Sequence, residues 1–251
     1  LITTYEIFHF SKPNPAYYAE ILAQLGCPAQ PVVMIGNSLS DDLLPAAKLG
    51  IPGFWVRGGQ EGSLEGLPAN SAEGSLADVP AWVERIEAEG REFAPAETPE
   101  GLLAVMRAAP AALDTFSSAL SDGQWNSRVA PQEWCYTEIL CHLRDSDREI
   151  NLPRVAKILA EALPFIIPVD ADAWSAEREY CGEDGPVALR GFMESRAVLL
   201  DQLAQLSPED WDRPARHAIF GPTTLRELLA FSAAHDRSHI AQALATLRAA
   251  V

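Results

Sequence analysis

Ala234-His235-Asp236-Arg237-Ser238-His239-Ile240 lies in the last helical pattern of the chain, and its two histidines are four residues apart. On an α-helix that spacing stacks both rings on one face. The surrounding stretch, Thr223–Ala249, reads as one long helix. Thr224 with Glu227 three residues on forms a capping box ahead of Leu225, Leu228 and Leu229. Three more helical patterns precede it, at Pro186–Leu206, Gln132–Ala162 with a bend at Pro153, and Pro99–Leu120. The first of these in chain order opens with Thr98 as N-cap and Pro99 at the first helical position. Long loops rich in Pro and Asp separate the second from the third and the third from the fourth. Four amphipathic helices of this length predict a bundle.

His142 falls on the second of these helices, whose inward stripe is predicted to run Cys135, Glu138, Ile139, His142, Ser146 and Glu149. Three imidazoles from two packed helices can hold a divalent cation facially and leave positions open for water and substrate. An open site of that kind lowers the pKa of bound water to about 7, or binds and activates a thiolate. Gln242, Ser238, Glu138 and Glu149 are candidate supports for the rings. A fourth protein ligand, such as His217 or Cys135, would instead close the coordination in the manner of a structural site.

The first 92 residues have a different rhythm. Pro13-Asn14-Pro15 opens a helix through Leu25 that Gly26 ends, and Pro31–Ile35 is a short apolar run of buried parallel-strand type. A helix over Asp41–Leu49 and a strand at Phe54-Trp55-Val56 follow. Gly58–Gly74 reads as loops, Val79–Glu89 as a helix, and Gly90–Thr98 as a polar linker. Strand, helix, strand is half of a parallel α/β unit.

Composition sets the outer bounds. The 251 residues are 48% hydrophobic and 22% charged, with a formal net charge of −16, and the chain is acidic on both sides of Glu97. There is apolar material for real cores. A nucleic-acid ligand requires a basic footprint that neither half supplies, and anionic membranes repel such a surface. No apolar run reaches the ~18 residues of a bilayer span, and no signal peptide is visible. Four cysteines without a CxxC pair fit free thiols in a reducing cytoplasm. The chain starts at Leu1 rather than Met, which leaves room for a segment upstream.

From Trp134 onward the chain resembles the DinB/YfiT-like four-helix bundles. The resemblance rests on Trp134–Leu143 with Asp145–Glu149, then Phe192–Arg196, Gly221–Leu225 and Ala234–Ile240. It implies metal dependence, with zinc or nickel held by His142, His235 and His239. It also implies chemistry on a small molecule: transfer of a low-molecular-weight thiol to an electrophile, or hydrolysis. A hydrolase needs a carboxylate to shuttle protons, for which Glu138 and Glu149 are the candidates, a solvated helix face being the alternative role of each. No contact with DNA is implied.

His9–Pro15 and Met34–Asp42 resemble haloacid-dehalogenase-like (HAD) phosphohydrolases. There, Lys12 would neutralise phosphoryl charge, and the loop from Gly36 to Asp42 would bind Mg²⁺ through Asn37, Asp41 and Asp42, with Asn37 standing where the family has Asp. The family's nucleophilic DxDx[TV] is missing. Asp145-Ser146-Asp147 lies inside a helix, and Asp170-Ala171-Asp172 lacks the Thr or Val. The expected fold class is therefore multidomain: a partial HAD-like α/β segment over residues 1–92, then an all-α DinB-like four-helix bundle over residues 98–251. Two alternatives accompany the metal-enzyme reading. One is a Mg²⁺-dependent phosphatase whose catalytic Asp lies upstream; the other is a non-catalytic bundle that mediates homodimerisation.

Overall fold

Each predicted helix start that carries a capping side chain is a helix start in the computed structural model, which describes residues 3, 7–90, 93–118 and 120–249. Leu1, residues 91 and 92 of the linker, and Ala119 of the first bundle helix lie outside the described residues. The contacts divide the chain into two compact units, Leu1–Ala108 and Ala109–Val251.

In the first unit, Asn14 accepts a hydrogen bond from the Ala16 N–H and opens α1 (Pro15–Gln24), which buries Ala16, Tyr18, Ala19, Leu22 and Ala23. Gly26, at φ +83°, turns the chain out of the helix. The apolar run at Pro31 gives the strand β1 only over Met34–Gly36, paired in parallel with β2 (Gly53–Val56). A third parallel strand, β3 (Ala72–Gly74), pairs with the other side of β2. β3 lies within the stretch read as loops. Ala-Glu-Gly has no β-forming side chain, so only its backbone ladder to β2 makes it a strand. The helix expected from Asp41 begins as a π-helical turn at Leu39–Leu43, capped by Ser38, and continues as α2 (Leu44–Ala47). α3 (Val79–Glu89) packs Trp82 and Ile86 on Phe54 of the sheet.

α4 (Pro99–Ser117) starts where the Thr98 hydroxyl accepts from the Gly101 N–H. In the second unit, the predicted helix over Gln132–Ala162 is three consecutive pieces: α5 (Tyr136–Asp145), a π-helical segment (Ser146–Asn151) and α6 (Leu152–Ala160). The interruption precedes Pro153. That proline sits in the first turn of α6, where its missing N–H costs nothing. α8 (Gly185–Ala204) and α9 (Leu225–Ala249) both pack on α5.

The long connections carry short elements that the loop reading did not foresee. These are β4 (Phe165–Ile166), α7 (Trp174–Glu177), β5 (Pro214–His217) and β6 (Gly221–Thr224). β4 runs parallel to β5, and β5 antiparallel to β6. The architecture is a parallel sheet with helices, followed by a mostly helical region.

Candidate metal centre

The i, i+4 pair on α9 meets His142 of α5. The Nε2 of His235 lies 2.9 Å from that of His142 and 3.1 Å from that of His239. His142 is fully buried, while His235 and His239 are partly accessible. Burial, followed by the neighbouring imidazoles, pushes His142 down to about 4. His235 is also pushed down to about 4, by burial first and then by His239. Burial lowers His239 as well. The three rings are therefore neutral at pH 7, with their Nε2 atoms facing one another. Neutral imidazoles this close require a proton or a cation between them.

The donor set fits a cation. One ligand nitrogen from each of the three rings lies within 4.8 Å of the other two, close enough for a single ion to be shared. The second nitrogen of His239 is placed to keep its Nε2 unprotonated. Nδ1 of His239 lies 2.8 Å from Oε1 of Gln242, which can only accept. Nδ1 of His142 is buried without a hydrogen-bond partner of normal geometry, but the Ala171 carbonyl is near enough to favour a proton on it. Trp134 closes one side of the cluster. Its ring stacks on His239 at 5.6 Å between centroids with only 4° between planes, and tilts against His142 at 4.9 Å. Among the described residues, no further His, Cys, Asp or Glu joins the three histidines within 4.8 Å. His217 instead accepts from backbone N–H groups of its own hairpin turn.

Beneath His235 and His239, Asp236 is held by a buried ion cluster. Arg196 of α8 donates to Asp236 at 2.5 and 3.0 Å and to Asp147 of the π-helical segment at 2.6 and 3.2 Å. A cleft of about 240 Å³ opens beside the rings, lined by His142, His235, Arg154, Asp172, Ile150 and Phe231 among others. Burial lowers the Arg154 guanidinium below the usual arginine range.

Glu138 and Glu149 lie elsewhere. Glu138 is buried as the capping-box acid of α5, taking hydrogen bonds from the Cys135 N–H, the Ser175 hydroxyl and Arg128. Glu149 is exposed and paired with Arg178. The π-helical segment turns the stripe, so that Ile150 rather than Glu149 follows Ser146 into the cleft. Ser238 is exposed. Arg154, Asp172 and Trp134 were not singled out as site residues from the sequence. A four-residue step from His142 through Ser146 and Ile150 reaches Arg154 and was the available signal.

In the first unit, Lys12 reaches Asp42 at 2.6 Å, and Asp42 also accepts from the Ser38 N–H. Asn37 and Asp41 are exposed. Their backbone carbonyls accept from the Trp55 indole and the Tyr18 hydroxyl.

Comparison with known proteins gives matches over two separate stretches of the chain. A HAD-hydrolase-like family model matches residues 9–78. Haloacid dehalogenase-like hydrolase domain-containing protein 3 of Danio rerio is 34% identical over 82 residues. That match covers 32% of this chain and 34% of the relative, so the chain spans about a third of the relative's length. YfiT from Bacillus subtilis, described as "a probable metal-dependent hydrolase with an unusual four-helix bundle topology", superposes with a TM-score of 0.54 at 24% identity, over 61% of this chain and 87% of that one. This is a likeness of fold. The DinB superfamily model matches residues 105–243, more than half of the chain and all three histidines, and the chain belongs to the DinB superfamily.

Proposed function

We propose that the chain is a divalent-metal-dependent enzyme acting on a small molecule in the cleft beside His142 and His235, as a hydrolase or a thiol S-transferase. The observation that carries this reading is the approach of three neutral Nε2 atoms, 2.9 and 3.1 Å apart, with no fourth ligating side chain beside them among the described residues. Three protein ligands leave coordination open, whereas structural zinc is normally closed by four. The fold likeness to YfiT, described as "a probable metal-dependent hydrolase", supports it.

His142, His235 and His239 would hold a cation of the zinc or nickel class, which supplies Lewis acidity toward a water or a thiol. Gln242 fixes the His239 ring, and Trp134 covers its face and limits water. Arg154 lines the cleft with a partly desolvated charge and orients an anionic group of the substrate. Asp172, also on the cleft wall, is the carboxylate placed to take up a proton there, in preference to Glu138 or Glu149.

The test is metal content of the purified protein beside His142→Ala and His235→Ala. Each substitution is expected to abolish stoichiometric metal, and unchanged content in both would overturn the assignment. Assay of the loaded protein on esters and amides, and separately on a thiol with an electrophile, decides between the two chemistries. A second reading rests on the Lys12–Asp42 pair: Mg²⁺-dependent phosphatase turnover lost in Lys12→Ala would move the activity to the first unit.

A further inference from the structure

Outside the histidine cluster, one other group of potential ligand atoms gathers among the described residues: Cys135, Cys181 and Glu138. Cys135 is buried at the N-cap of α5, and Cys181 is partly exposed in the 3₁₀ turn at Tyr180–Gly182. They are 46 residues apart in sequence, and their sulfurs are 3.4 Å apart. Both positions are held by the surrounding structure. The Asn126 side-chain amide donates to the Cys181 carbonyl at 2.5 Å and to the Glu183 carbonyl at 3.2 Å. The Tyr180 hydroxyl is bonded to Asp145. Cys135 is fixed by its own N–H, which donates to Glu138 at 2.8 Å.

We infer that Cys135 and Cys181 form a redox-active dithiol that peroxide converts to a disulfide. The sulfurs need to close by about 1.4 Å to reach the ~2.0 Å of a bond. Cys181 is the attacking thiol, because solvent reaches it while Cys135 is buried. Burial raises the Cys135 thiol well above its ordinary range, so it waits protonated as the resolving partner.

The chemistry balances in two steps. The Cys181 thiolate, its proton lost to solvent, attacks one peroxide oxygen. The O–O bond breaks, giving a Cys181 sulfenic acid and hydroxide, which recovers a proton as water. Cys135 sulfur then attacks the Cys181 sulfur and displaces hydroxide. The Cys135 proton goes to that hydroxide, giving a second water. Two thiols lose two electrons, and peroxide gains them.

The competing occupant of the same cluster is a metal ion. Glu138 argues against it, because its carboxylate already serves Arg128, Ser175 and the Cys135 N–H.

The test treats the full-length, metal-loaded protein with dilute hydrogen peroxide, denatures it under thiol-blocking conditions and counts thiols. The count is expected to fall from four to two, with one linked peptide joining Cys135 to Cys181 and the thiols of Cys27 and Cys141 intact. Cys135→Ser should leave a Cys181 sulfenic acid that a dimedone-type probe captures. Cys181→Ser should keep its remaining three thiols. Four surviving thiols in the unaltered protein, a bridge using Cys27 or Cys141, or metal that stays bound in His142→Ala and leaves only in Cys181→Ser would each overturn the inference. The mapping on unaltered protein needs no variant to fold, and its outcome is independent of whether the histidines bind metal.

Discussion

Gln242 touches the candidate centre through one hydrogen bond, from Nδ1 of His239 to its side-chain oxygen at 2.8 Å. Supports of this kind typically contribute 10–100-fold in metal affinity. Gln242→Ala is expected to weaken zinc binding by about that factor while leaving the helical circular dichroism unchanged, and a competition titration against a chelating dye reads it. An affinity within twofold of the unaltered protein would show that the bond does not orient the ring. The neighbouring rings also give the metal-free protein a pH signature. Folding lowers His142 and His235 from an ordinary 6.5 to about 4, so the unfolded chain binds those protons first as pH falls. Their contribution is complete above pH 6.5 and is lost progressively between 6.5 and 4. Urea midpoints of chelated protein should therefore drop through that window, and more steeply than those of His142→Asn; parallel curves would contradict the shift. The two histidines on α9 were legible because α-helical spacing fixes which residues stack. That His142 faces them is a tertiary fact, suggested by family resemblance but not encoded in spacing.

The π-helical segment at Ser146–Asn151 is where element-level reading and structure part most clearly. A strict 3.6-residue period carries the stripe of α5 to Glu149. The wider turn carries it to Ile150 and Arg154, and so changes which side chains line the cleft. Nothing in the residue pattern announces a π turn, whereas caps are written in side chains: Thr98, Asn14 and the Thr224–Glu227 pair all act at the helix starts they predict. Strands β3, β4, β5 and β6 were illegible because two to four residues give no period to read, whereas the apolar runs at Pro31–Ile35 and Phe54–Val56 announced β1 and β2. The same π-helical segment supplies Asp147 to the buried guanidinium of Arg196, which also holds Asp236 of α9. Removing the cation strands two buried carboxylates, and breaking such a cluster typically costs about 3–5 kcal/mol. Arg196→Met is expected to lower stability by that amount in urea unfolding at pH 7, and the deficit relative to the unaltered protein should shrink at lower pH as Asp147, already raised by burial, takes up a proton. A loss below about 1 kcal/mol would mean the cluster is incidental.

At the scale of the whole molecule, the change from a strand-and-helix rhythm to long helices made an α/β part and a mostly helical part legible, while the contacts divide the chain after Ala108 rather than at the linker read over Gly90–Thr98, and the described residues contain no helix long and apolar enough to cross a membrane. All three histidines lie in the unit Ala109–Val251. A ligand that binds only the native state at a thousand times its Kd adds about 4 kcal/mol, so chelation should lower the calorimetric transition of that unit and leave the transition of Leu1–Ala108 in place. No change, or a shift confined to the first unit, would contradict the assignment. The indole of Trp134 lying parallel on His239 has an optical consequence. An open-shell ion such as Ni²⁺ seated at that ring would quench its emission, whereas closed-shell Zn²⁺, which has no redox chemistry, would leave it bright. Titrating either ion into chelated protein while reading tryptophan emission should therefore tell the two apart, and Trp134→Phe should abolish the difference.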